Sequence, residues 1–168
     1  MKQLFTLLLC ALILSTIGCG GTEKPDGMPP LHQTTLTFTQ DGKPLAEASV
    51  TLSPQDAANT QWSLGGATDS NGVLKVQTQG FDGAPEGTYK IVVTKTETEG
   101  AGAPVESSDD ASVKPSAAGS VPKSFYLVDK KYRSVGTTDL TLEVKAGKNA
   151  QTIDLGSAVR EEIPVHKN

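Results

Sequence analysis

Cysteine, histidine and aromatic residues are scarce in this chain of 168 residues. It has two cysteines, Cys10 and Cys19, two histidines, His32 and His166, and an aromatic content of 5%. Both cysteines lie near the N-terminus, so neither can close a loop in the remainder of the chain. The same scarcity argues against a structural zinc site, which needs four ligands drawn mainly from Cys and His. We therefore expect no disulfide framework, no metal and no cofactor.

The sequence also lacks a recognisable set of catalytic residues. A serine nucleophile needs an imidazole fixed beside it. His32 falls in a proline-rich segment and His166 in a polar tail, where we expect neither to be rigid. The Gly-x-Ser-x-Gly pattern of many hydrolases is missing as well. These absences predict that the protein is not an enzyme.

Acidic residues outnumber basic residues in this chain. The chain has 15 Lys and Arg against 19 Asp and Glu, a net charge of -4. Lys2 is the one charged residue among the first eighteen, so the rest of the chain carries a net charge of -5. No basic patch is visible, which argues against nucleic acid as a partner.

Glycine and proline are plentiful, at 17 and 10 residues. Such a composition favours frequent turns and disfavours long helices. No amphipathic helical pattern of about twelve residues is visible beyond the N-terminal segment. The length fits one domain with appendages.

The one long apolar run lies at the N-terminus. Lys2 precedes the apolar residues 4–14, a stretch too short to span a membrane comfortably. The run contains Cys10 and is followed by Ile17-Gly18-Cys19. This arrangement resembles the signal of bacterial lipoproteins, in which small or aliphatic residues precede a cysteine. Thr16 stands where that family usually has Leu.

The resemblance implies that residues 1–18 are a signal peptide removed on export. It further implies that Cys19 is acylated and anchors the protein to a bacterial cell membrane, either inner or outer. Several acyl chains hold a soluble domain stably, whereas one chain does not. The alternative is an ordinary secretory peptide cleaved after Gly18 or nearby. Residues 19–33 hold three prolines and no periodicity, which predicts a flexible tether.

Alternation of apolar and polar residues predicts β-strands in the part that follows. The clearest strands cover residues 34–39, 46–53, 89–93 and 138–145. Weaker strands are expected at 62–67, 73–78 and 150–155, which makes about seven strands in all. We expect the first two to form a strand–turn–strand unit, 62–67 to be an irregular edge, and 150–155 to pair back on 138–145 through a hairpin turn. The residues expected to face the core are Leu36, Phe38, Ala48, Val50, Leu52, Tyr89, Ile91, Val93, Leu140, Leu142 and Val144.

Residues 69–72, Asp-Ser-Asn-Gly, predict the turn that precedes one of these strands. Asp and Asn form Asx-turns, and Gly adopts positive φ without strain. The same residues resemble the start of a calcium loop, but they lack its third acidic position and its closing Glu. We interpret them as turn chemistry, and the acidic cluster of Glu106, Asp109 and Asp110 as a solvated loop.

Three motifs together resemble the carboxypeptidase regulatory-like domains, which are transthyretin-like (prealbumin-like) β-sandwiches. They are Asp-Gly-Lys-Pro-Leu-Ala-Glu-Ala-Ser-Val-Thr-Leu from residue 41, Thr-Asp-Ser-Asn-Gly-Val-Leu-Lys-Val from residue 68, and Pro-Glu-Gly-Thr-Tyr-Lys-Ile-Val-Val from residue 85. The resemblance covers about residues 34–95. It implies an all-β, antiparallel, seven-stranded β-sandwich over residues 34–156. Together with the signal, it resembles small exported proteins of planctomycete-type bacteria.

Two segments depart from this strand pattern. Residues 96–121 contain almost no large apolar side chain, so they predict a mobile insertion. Residues 157–168 form a polar tail that we expect to be frayed.

Five aromatic residues are the candidates for an interaction site: Trp62, Phe81, Phe125, Tyr126 and Tyr132. A binding module should expose them as a contiguous patch, whereas a purely structural module should bury all five. We expect a non-catalytic module with a structural or interaction role at the cell envelope. The alternatives are a module that binds an extracellular glycan or protein and an accessory subunit of an envelope enzyme.

Overall fold

The computed structural model describes residues 23–100 and 122–164. The predicted signal peptide, Cys19, His166 and most of the predicted insertion lie outside these ranges. Within the described ranges the chain is built from short β-strands and has two three-residue 3₁₀ helices as its only helices. The prediction of an all-β fold is confirmed, and nearly all strand pairs are antiparallel.

The strands are short, as the glycine and proline content predicts. In chain order they are β1 (Thr34–Gln40), β2 (Lys43–Pro44), β3 (Ser49–Pro54), β4 (Leu64–Ala67), β5 (Val73–Lys75), β6 (Gln77–Thr78), β7 (Phe81–Asp82), β8 (Gly87–Thr94), β9 (Thr96–Glu99), β10 (Lys123–Tyr126), β11 (Thr141–Val144), β12 (Asn149–Asp154) and β13 (Glu161–Glu162). The 3₁₀ helices cover Ala57–Asn59 and Lys130–Tyr132.

The strands form three sheets. A six-stranded sheet has the order β11-β8-β3-β4-β6-β7. A four-stranded sheet is centred on β1, which pairs with β12 in parallel and with β2 and β5 antiparallel. A smaller sheet has the order β13-β10-β9.

The two larger sheets share one hydrophobic core. Strand β1 places Leu36 and Phe38 in this core, both fully buried. Strand β8 contributes Tyr89, Ile91 and Val93, which are also fully buried. All of these belong to one contiguous cluster. Burying each such side chain is worth about 1.5–3 kcal/mol, which makes this cluster the main source of stability.

The inward-facing residues are those that alternation predicts. Strand β3 buries Val50 and Leu52 and exposes Ser49 and Thr51. Strand β11 buries Leu142 and Val144, and Leu140 before it is half-buried. The prediction of the core-facing residues is therefore confirmed.

The turn at residues 69–72 also forms as predicted. The Asp69 carboxylate oxygen Oδ1 accepts hydrogen bonds from the backbone N–H of Asn71 and of Val73, each at 2.8 Å. Gly72 adopts φ +72°. Because the carboxylate is used to close the turn, the turn-chemistry interpretation of Asp69 holds.

Several predicted strand pairings are wrong. Strands β1 and β3 do not form a hairpin, since β1 pairs with β2 while β3 pairs with β4 and β8 in the other sheet. Strand β12 does not pair back on β11 but lies parallel to β1. Strand β4 is not an edge, because it lies between β3 and β6. Alternation identifies the buried face of a strand but not its partner.

The expected strand at residues 73–78 is divided between two sheets. Strand β5 pairs with β1, whereas β6 pairs with β4. Val76 lies between them and is buried. The chain thus crosses from one sheet to the other at this point.

Ordered structure also extends into segments that were expected to be irregular. Strand β9 occupies the first residues of the predicted insertion and pairs with β10. Strand β13 occupies part of the predicted tail and pairs with the other edge of β10. In each case the residues are exposed and polar, so their hydrophobic pattern gave no signal.

Candidate interaction surface

The five candidate aromatic residues are divided between the core and one small sheet. Trp62 and Tyr132 are 8% and 5% exposed and belong to the hydrophobic core. Phe81 lies on β7 at the edge of the six-stranded sheet and is half-buried. Phe125 and Tyr126 are neighbours on β10 and are also half-buried. The five residues are therefore neither all buried nor exposed as one patch, and only Phe125 and Tyr126 lie on the same strand.

Phe125 and Tyr126 are each covered by an arginine. Successive residues of a strand point to opposite faces of its sheet. The guanidinium carbon of Arg160 lies 4.0 Å from the centre of the Phe125 ring. That of Arg133 lies 4.0 Å from the centre of the Tyr126 ring. Each contact is a cation–π interaction, worth about 0.5–1 kcal/mol at a partly exposed site.

Ion pairs connect these arginines to the two outer strands of the small sheet, β9 and β13. Arg133 binds Glu161 on β13, and Arg160 binds Glu99 on β9. A third pair joins Lys123 Nζ on β10 to Glu162 Oε1 on β13 at 3.2 Å. Exposed ion pairs contribute about 0–1 kcal/mol each. Together with the ring contacts they hold the small sheet in place. We call the two ring–arginine pairs, Phe125 with Arg160 and Tyr126 with Arg133, one on each face of this sheet, the arginine–aromatic surface.

A second concave region lies on the outer face of the six-stranded sheet. It is a trough of about 310 Å³ over β3, β4 and β6. Its polar side chains are all uncharged: Ser49, Thr51, Ser63, Gln77 and Gln79. Gly65 lies among them, and a Cβ added there would approach the Val50 carbonyl oxygen to 2.1 Å. Only glycine fits this position, so the floor of the trough is bare backbone.

His32 is held against the domain, contrary to the expectation that it belongs to a flexible tether. Its backbone N–H donates to the Ala84 carbonyl at 2.8 Å, and the Ala84 N–H donates back at 3.0 Å. Its Nδ1 accepts from the Gly147 N–H at 3.1 Å, and Nε2 lies 3.2 Å from Glu86 Oε1. Glycine at 83 permits this contact, because a Cβ there would lie 2.7 Å from the His32 carbonyl oxygen. Sequence reasoning missed this attachment because its partners are distant in the chain.

Tyr89, on β8, is a buried titratable group that contacts the loop before that strand. Its hydroxyl donates to the Pro85 carbonyl at 2.8 Å, and its side chain is fully buried. Burial raises the pKa of Tyr89 to about 12, and the negative charge of Asp56 adds to the rise. The phenol is therefore a neutral hydrogen-bond donor that holds the loop before β8.

The described residues contain no group of three or more His, Cys, Asp or Glu side chains placed to hold a metal ion. Residues 23–100 and 122–164 also contain no helix long and apolar enough to cross a membrane. No protein-family model, curated protein or solved structure matches the chain.

Proposed function

We propose that the protein is an exported bacterial lipoprotein that displays a non-catalytic β-sandwich module at the cell envelope. In this proposal Cys19 carries the lipid anchor. The two larger sheets are the layers of a transthyretin-like sandwich that resembles the carboxypeptidase regulatory-like domains. The module has a structural or interaction role, and the arginine–aromatic surface is its contact region.

The order of features along the chain is the observation that carries this proposal. An apolar export-type segment ends at Ile17-Gly18-Cys19, and a β-structured part begins at Thr34. Between them, residues 23–27 are exposed. In this proposal the exposed residues 23–27 form part of the spacer between the anchor on Cys19 and the two-sheet core. The shared core of the two larger sheets supports the sandwich assignment.

The test is to label cells that express the protein with radioactive palmitate and to partition the extract with Triton X-114. Wild type should incorporate label and enter the detergent phase, and Cys19→Ser should do neither. Cys10→Ser is the matched control, because Cys10 lies within the apolar run and should be removed with it. Retention of the label in Cys19→Ser would contradict the proposal.

A second candidate function, binding of an extracellular glycan, is favoured by the trough on the six-stranded sheet. Its uncharged hydroxyl and amide groups over bare backbone suit a ligand rich in hydroxyl groups. Thr51→Tyr would fill the trough, whereas Thr141→Tyr would place the same ring on β11, outside it. In affinity electrophoresis with xylan, mannan or laminarin, this function predicts retardation that Thr51→Tyr abolishes and Thr141→Tyr preserves. Equal mobility of all three proteins with every polysaccharide would reject it for these glycans.

A further inference from the structure

A separate cavity of about 270 Å³ lies where the segment before β1 meets the domain. One wall comes from that segment, and the others come from the 3₁₀ helix Ala57–Asn59 and the loop before β8. Its lining residues are Pro29, Pro30, His32, Asn59, Pro85 and Glu86. We call it the proline cavity, because three pyrrolidine rings form its apolar walls.

No lining side chain of the proline cavity offers a free hydrogen-bond donor. Proline has neither a side-chain donor nor a backbone N–H. Asn59 Nδ2 already donates to the Glu86 carbonyl at 3.0 Å and lies 3.5 Å from the Tyr89 hydroxyl. His32 Nδ1 accepts from Gly147, so the proton of a neutral ring lies on Nε2, which faces Glu86.

Free acceptors, by contrast, are present. Asn59 is only 7% exposed, and its amide oxygen Oδ1 accepts no hydrogen bond from any residue that the structure describes. The orientation of the amide is set by Nδ2, which must face the Glu86 carbonyl. The Glu86 carboxylate adds a negative charge and a second oxygen beyond the one that faces His32. The lining is therefore acceptor-rich, anionic and otherwise apolar.

We propose that the proline cavity binds a primary ammonium group carried on a short alkyl stem. The ammonium has three donors and no acceptor, which complements the Asn59 oxygen and the Glu86 carboxylate. The stem would lie between the proline rings. A neutral alcohol of the same shape would lack the charge-assisted hydrogen bond to Glu86, and an anion would be repelled. The group could belong to a free alkylamine or to the lysine side chain of a peptide.

The probe is n-butylamine hydrochloride, titrated into the full-length protein in detergent micelles at fixed pH and ionic strength. The signals of the Asn59 side-chain amide and the His32 ring are followed by NMR. Both should shift and saturate, whereas n-butanol should shift neither. Glu86→Gln keeps the shape of a side chain that is 60% exposed and should weaken amine binding at least about tenfold. Glu143→Gln removes a carboxylate on β11, which is 65% exposed, and should leave binding unchanged.

The two sources of the ammonium are distinguished with a blocked Gly-Lys-Gly peptide and its Nε-acetylated form. Tighter binding of the lysine peptide than of butylamine would assign the site to lysine side chains, and tighter binding of butylamine would assign it to free amines. The proposal is overturned if butanol shifts the same signals, if Glu86→Gln binds like wild type, or if no saturable shift occurs up to about 0.1 M amine.

Discussion

The turn at Gly72 offers a sharp test of how the two larger sheets are joined. Gly72 has φ +72°, and an added Cβ would lie 2.4 Å from the Phe38 carbonyl oxygen and 2.9 Å from the Leu45 backbone nitrogen. Gly42 has nearly the same φ, +69°, yet nothing lies within 4 Å of an added Cβ. The two glycines therefore share the same backbone requirement and differ only in their surroundings.

The expected losses of stability follow from the backbone conformation of each glycine and from the atoms that surround it. Placing Ala in the left-handed region costs about 1–2 kcal/mol, and both Gly42→Ala and Gly72→Ala incur this cost. Gly72→Ala must also displace β1, where Phe38 N–H donates to the Gly72 carbonyl and Leu45 N–H donates to the Phe38 carbonyl. Overpacking of this kind adds about 1–3 kcal/mol. We therefore expect Gly42→Ala to lose about 1–2 kcal/mol, and Gly72→Ala about 2–5 kcal/mol.

The measurement is the free energy of unfolding from urea titrations of wild type and both variants, followed by Trp62 fluorescence. Unchanged urea dependence (m-value) across the three proteins would show that the comparison is between the same two states. Equal losses in the two variants, within about 0.5 kcal/mol, would refute the close approach of the turn to β1.

Two further predictions concern buried hydrogen-bonding groups. Because burial raises the pKa of Tyr89 to about 12 from its ordinary value near 10, the folded state retains a proton that the unfolded state loses at high pH. The free energy of unfolding should therefore be at its full value below pH 10 and fall between about pH 10 and 12. In Tyr89→Phe this fall should be smaller. An identical pH profile in the variant would contradict the raised pKa of Tyr89. The buried Thr68 hydroxyl donates to the Leu45 carbonyl at 2.6 Å and accepts from the Ala48 N–H at 2.9 Å. Thr68→Val has the same shape but leaves the Leu45 carbonyl and the Ala48 N–H without a hydrogen-bond partner, so thermal unfolding should show a loss of stability of about 2–4 kcal/mol. Thr68→Ser should recover most of this stability. A loss below about 1 kcal/mol for Thr68→Val would argue against these two buried hydrogen bonds.

The local features of the fold could be predicted from the sequence because their causes are local. Alternation identified the buried faces of β1, β3, β8 and β11, and the sequence Asp-Ser-Asn-Gly identified the turn at Gly72. These signals depend on side-chain period and on φ, which neighbouring residues determine.

The pairing of strands could not be predicted in the same way. The parallel pairing of β1 with β12 joins opposite ends of the domain, and nothing in the alternation of either strand specifies the other. Strands β9 and β13 are fully exposed, so no apolar residue marks them. They are held instead by Arg133, Arg160 and Lys123, whose partners become visible only in three dimensions.

The candidate site was predicted only in part for a similar reason. The sequence identified Phe125 and Tyr126 as candidates but not the arginines that cover them, which come from elsewhere in the chain. It also assigned His32 to a tether, because three prolines around it indicate an irregular segment. The attachment of His32 depends on Glu86 and Gly147, contacts that composition does not encode.

The central claim is that Cys19 becomes the lipid-modified N-terminus of the mature protein. Mass spectrometry of the protein from its own membranes tests this directly, after digestion with an endoproteinase that cleaves before Asp26. The proposal predicts a peptide that begins at Cys19 and carries the mass of a diacylglyceryl group and an N-linked acyl chain. An unmodified Cys19, or a mature protein whose N-terminal peptide begins at any other residue, would contradict it.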